Sequence, residues 1–99
     1  MIGLIMIEFE WDEQKNIINQ QKHSLSFEEA ARVFLDPLCL RRQDRYEDGE
    51  ERWQAIGKVN GIALLLVAHT QKEIKNGEII RIISARRATK VERKSYEND

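Results

Sequence analysis

Apolar and polar residues alternate from the seventh position. Ile7, Phe9 and Trp11 interleave with Glu8 and Glu10, which predicts a short strand with one apolar face. Asp12 is then an N-cap for a helix from about Glu13 to Lys22, whose thin apolar stripe, little more than Ile17 and Ile18, is expected to be its buried side. Ser26 and Glu29 form a capping box, and Phe27, Ala30, Ala31 and Phe34 follow at helical spacing, so a second helix with a core-facing stripe is predicted. Asp36-Pro37 stops it.

The pattern then changes to that of a sheet. A strand is expected over Leu38 to Gln43, a polar turn over Asp44 to Glu50, and a strand from Glu51 in which Trp53, Ala55, Gly57 and Val59 share one face. Asn60-Gly61 is a hairpin signal, and the continuously apolar run Ile62 to Ala68 predicts a central strand ending at His69-Thr70. Gln71 to Gly77 reads as a polar loop. Ile79, Ile80, Ile82 and Ile83 around Arg81 mark the last strand, and Thr89 with Glu92 is a capping box opening a short helix that carries Val91 and Tyr96. Arg86 and Arg87 thereby fall in the strand-helix junction. The predicted class is α+β: an antiparallel β-sheet, its last four strands a meander, with two N-terminal helices packed on it and a short C-terminal helix.

Ninety-nine residues, 41% hydrophobic and 33% charged, fit one folded domain over 1–99 and exclude a disordered chain. The net charge of −1 conceals an asymmetry: residues 1–50 carry 6 basic and 11 acidic side chains, residues 51–99 carry 10 and 6. Such a dipole suits a protein with one face for a polyanion. Cys39 is alone, which excludes an internal disulfide and fits a reducing, cytoplasmic setting. MIGLIMIEFEW lacks a basic n-region and is too short an apolar run for a signal peptide or a membrane span. Met6 offers a second start, which would make Met1 to Ile5 an N-terminal extension.

The sequence contains no Gly-rich phosphate loop, His-Glu-x-x-His, cysteine pair or two-metal carboxylate cluster, so no metal or other cofactor is expected. The side chains left for chemistry are His23, His69, Glu51, Tyr96, lysines and arginines. They suit cofactor-free cleavage of RNA, in which the 2′-OH attacks the neighbouring phosphate while a base, an acid and cations assist. A helix N-terminus favours anions, so Arg86 and Arg87 beside one are placed for a phosphate, or for structural pairs with acidic side chains.

FEWDEQKNIINQQKH, SFEEAARVFLDP, GEERWQAIG, LLLVAHT and IRIISARRATKVERKSYE, in this order from Phe9 to about Glu97, resemble the BrnT family of bacterial toxins. The resemblance implies a RelE-like fold and a metal-independent endoribonuclease toxin of a type II toxin–antitoxin system that inhibits translation and growth. It also implies a BrnA antitoxin whose ribbon-helix-helix domain, not this chain, binds operator DNA. The family-like segments contain Lys22-His23, Glu51-Arg52-Trp53, His69-Thr70, Arg81, Arg86-Arg87, Glu92-Arg93 and Tyr96. The expected catalytic residues are Arg86, His69, Glu51 and His23, with Arg87, Arg52, Lys22 and Arg81 holding RNA phosphates. A non-catalytic module that binds an antitoxin through a basic C-terminal face is the alternative.

Overall fold

The structure, a computed structural model, describes residues 6–98. The expected extension Met1 to Ile5 lies outside them. The elements are β1 (Met6–Glu10), α1 (Glu13–His23), α2 (Phe27–Ala31) running into a 3-10 turn (Arg32–Leu35), β2 (Leu40–Glu47), β3 (Glu50–Val59), β4 (Ala63–Ile74), β5 (Gly77–Arg87) and α3 (Lys90–Glu97). One five-stranded sheet has the order β1-β5-β4-β3-β2. Strands β2 to β5 form the expected antiparallel meander, and β1 adds to the outer edge of β5 in parallel.

The helix starts are local, and they occur where the capping residues put them. Asp12 accepts from the amides of Gln14 and Lys15, and both capping boxes, Ser26/Glu29 and Thr89/Glu92, are closed. The second N-terminal helix is shorter than expected: one α-turn continues as 3-10, whose tighter winding still delivers Phe27, Ala30, Val33 and Phe34 to the core.

The helix stripe predicted for α1 is corrected. Ile17 and Ile18 are 42% and 44% exposed, and the buried residues are Asn16 and Asn19. Polarity concealed the inner face because its contacts are hydrogen bonds. Asn16 Oδ1 accepts from the Phe27 amide at 2.8 Å, while Asn19 bonds the carbonyls of Leu25 and Ala85 and the Ala85 amide.

Three strand boundaries are also corrected. β2 begins at Leu40 and runs on to Glu47, closing with β3 through Asp48-Gly49, both at positive φ as a tight hairpin requires. β4 does not end at His69-Thr70 but continues to Ile74, and the expected Gln71–Gly77 loop is a hairpin turning at Lys75-Asn76. β5 extends through Arg86 and Arg87, so both arginines are strand residues. Polar side chains at a solvated hairpin end look like a loop when only hydropathy is read.

Strand register divides the sheet into two faces. Ala55, Val67, Ile82 and Ala85 pack beneath α1 and α2 in the main core with Phe27, Val33 and Phe34. The opposite face holds a smaller cluster of Ile56, Leu64 and Leu66 under Tyr96 of α3. Because α3 is only eight residues long, it covers one end of that face and leaves the remainder free of helices.

Candidate functional site

The helix-free part of the sheet gathers charge. Arg52 on β3 and Arg81 on β5 approach the same carboxylate: Arg81 Nη2 donates to Glu50 Oε1 at 2.5 Å, and Arg52 Nη2 lies 3.9 Å from that oxygen. Arg52 Nη1 is 3.7 Å from Glu47, and its Nε is buried without a hydrogen-bond partner. Beside this pair opens a cleft of about 380 Å³ where Glu10, Glu51, Thr70, Lys72 and Arg81 converge. Alternation explains the convergence, since Arg81 stands opposite Thr70 across one ladder and Glu10 across the other.

Of the eight residues expected to form a site, Glu51, Arg52 and Arg81 belong to this region. Thr70 and Lys72 also belong to it and were not among the expected site residues. Had Gln71 to Gly77 been read as a strand, the two-residue alternation from Arg81 would have placed Thr70 and Lys72 on its face.

The remaining five residues lie elsewhere. His69 was expected to emerge at a strand end and instead is fully buried within β4, edge-on to the Phe34 ring with centroids 5.0 Å apart. Its Nε2 is 3.1 Å from Gln71 Oε1, and burial depresses its pKa below the usual histidine value. Lacking solvent contact, it has no route to a substrate in this conformation.

Arg86 is already engaged. Its Nη1 and Nη2 donate to the two carboxylate oxygens of Glu92 at 2.8 and 2.9 Å, a fork-to-fork pair that ties α3 to β5. This pairing, with the Thr89 amide as further donor, holds Glu92 down at about 2. Tyr96, counted among the side chains left for chemistry, is buried, and its hydroxyl donates to Asp36 Oδ2 at 2.6 Å. That bond and burial push the Tyr96 pKa up to about 12. Arg87 is exposed and in no ion pair among the described residues. Lys22 and His23 end α1 beside a small groove that includes Ser84.

No group of three or more His, Cys, Asp or Glu among the described residues is placed to hold a metal ion. No helix among them is long and apolar enough to cross a membrane.

A meander sheathed by helices on one side, with arginines and carboxylates paired beside a cleft on the other, defines a small α+β protein with a charged, largely helix-free sheet face. The family described as "Ribonuclease toxin, BrnT, of type II toxin-antitoxin system" matches residues 11–92, and the chain belongs to this family. Among solved structures, the Brucella abortus ribonuclease toxin BrnT is similar at 26% identity and a TM-score of 0.60, covering 86% of this chain and 100% of that one. No curated protein matches.

Proposed function

We propose that this ribonuclease toxin cleaves RNA at the helix-free sheet face, with Arg81 and Arg52 holding the scissile phosphate. The observation that carries this reading is the convergence of both guanidinium groups on one carboxylate beside a cleft. Glu50 occupies the position an RNA phosphate would take, since both are anions with oxygen acceptors that suit a guanidinium fork. Arg52 Nε, buried and unpartnered, is a further donor at that position.

The reaction in this reading is attack of the 2′-OH on the adjacent phosphorus. The P–O5′ bond breaks, leaving a 2′,3′-cyclic phosphate and a free 5′-OH. Glu51 takes the 2′-OH proton, Lys72 protonates the leaving oxygen, and the arginines stabilise the phosphorane charge. No metal takes part. His69 and Arg86 then serve the fold, while Lys22, His23 and Arg87 contact flanking phosphates. The protein acts as a RelE-like toxin in the cytoplasm, inhibits translation and growth, and is neutralised by a BrnA-type antitoxin whose ribbon-helix-helix domain binds operator DNA.

The test is cleavage of purified RNA by the antitoxin-free protein and its Arg81→Ala, Arg52→Ala and Arg86→Ala variants, with folding checked by circular dichroism. Loss of about 10²–10³ in rate for the first two, against a small loss for Arg86→Ala, is expected. The reverse order would return the phosphate site to the strand-helix junction. Equal activity in all four would remove cleavage from both places.

A further inference from the structure

A second surface, distinct from the cleft at Arg81, runs along α3. Two hollows of about 540 and 420 Å³ lie against it, one lined by Ser95 and the other by Tyr96. Their apolar lining is unusually open: Leu35, Leu38 and Val91 are 75%, 71% and 75% exposed, and half-buried Leu40 joins them. Aliphatic side chains gathered in this way mark an interaction surface more often than a solvated one.

The rim has a definite sign. Arg32 and Lys58 border one hollow, Arg42 and Lys94 the other, and none of the four is in an ion pair among the described residues. Among the described residues, Asp36 is the only acid in either lining. Its carboxylate already accepts from the Leu38 amide, the Lys58 amide and the Tyr96 hydroxyl at 2.9, 2.8 and 2.6 Å.

We infer that this groove docks an acidic, amphipathic segment of a partner protein, its aliphatic residues on Leu35, Leu38 and Val91 and its carboxylates opposite the four cations. A type II toxin has an antitoxin as its protein partner, and the groove assigns that partner an acidic, amphipathic docking segment, so the inference rests on the family assignment and not on the RNA cleft. RNA suits the groove less well. Among the described residues the only aromatic in the lining, Tyr96, is 8% exposed and offers no stacking platform. A second copy of this chain would bring like charges together across a two-fold axis.

The test is calorimetric titration of the intact toxin with the antitoxin of the same system. It compares the parent, Leu38→Asp, the double variant Arg32→Glu/Lys94→Glu, and Ile17→Asp as a control on α1. All these positions are exposed, so folding is retained, and urea unfolding verifies it. Binding about tenfold or more weaker for the groove variants, with the control unchanged, is expected. The double variant is also expected to lose salt sensitivity. Unchanged affinity in the groove variants, or no binding by the parent, would overturn the inference. So would a groove substitution that abolishes RNA binding or dissolves a toxin dimer while leaving antitoxin affinity intact. RNA cleavage by Arg81→Ala is scored separately, so the two readings fail independently.

Discussion

Asn19 closes on the backbone of Ala85 with both ends of its amide: Nδ2 donates to the Ala85 carbonyl at 3.0 Å, and Oδ1 accepts from the Ala85 amide at 3.0 Å. Ala85 lies beyond the reach of β1, which pairs with β5 only as far as Arg81. The asparagine thus takes the part of a neighbouring strand for one residue. Asn19→Ala leaves a buried donor and a buried acceptor unsatisfied and is expected to cost about 2–4 kcal/mol in urea unfolding. Asn19→Asp is expected to be no better, because it sets a second acceptor against the Leu25 and Ala85 carbonyls.

Gly57 lets the 3-10 turn lie directly on β3. A Cβ there would meet the Val33 carbonyl oxygen at 2.8 Å and Val33 Cγ1 at 2.9 Å. Neither is the end of a flexible side chain. Gly57→Ala is therefore expected to destabilise by about 1–3 kcal/mol and lower the thermal midpoint.

His69 should make stability depend on pH near neutrality. Its folded pKa lies below the ordinary value of 6.5, so below that pH the unfolded chain binds the extra proton more readily. Stability from this group is complete above pH 6.5 and falls as pH drops toward the folded pKa. Urea midpoints at pH 7.5 and 5.5 should differ for the parent, and the difference should shrink in His69→Leu.

The Glu92 carboxylate acts at lower pH. Its folded value of about 2 lies below the ordinary 4.5, so its contribution is complete above pH 4.5 and lost as pH falls toward 2. Arg86 is partly exposed, which reduces the pair to about 1–2 kcal/mol. Glu92→Gln should flatten acid unfolding in this range and loosen α3, visible as faster amide exchange from Lys90 to Glu97.

Glu50 competes with phosphate for Arg81 in the proposed site. Glu50→Gln is expected to raise RNA affinity and to steepen its dependence on salt by about one released ion. Fluorescence anisotropy with labelled RNA across a salt series measures both. An unchanged slope would detach Glu50 from the phosphate position.

Much of the fold could be read from short segments. The Asp12, Ser26 and Thr89 caps, the core stripe from Phe27 to Phe34, the Asn60-Gly61 hairpin and the meander all depend on residues a few positions apart. The Asp48-Gly49 turn was equally local, but the surrounding charged residues made it look like a longer loop. The family was legible as well, in segments spread along most of the chain.

The candidate site was legible in its residue types and only partly in its arrangement. Glu51, Arg52 and Arg81 were foreseen, whereas Lys72 was hidden by the apparent loop and Thr70 was read only as the end of a strand. His69 and Arg86 looked available because a sequence shows a polar side chain without showing what already holds it.

The sequence by itself determined where helices begin, which segments form strands and which family they compose, because capping, alternation and tight turns act over a few residues. Only the tertiary structure decided that β1 joins β5 in parallel, that α1 buries asparagines and not isoleucines, and that Arg52 and Arg81 share a carboxylate. These outcomes join groups as far apart as Asn19 and Ala85, where the partner's distance and direction set whether burying a polar group stabilises or costs.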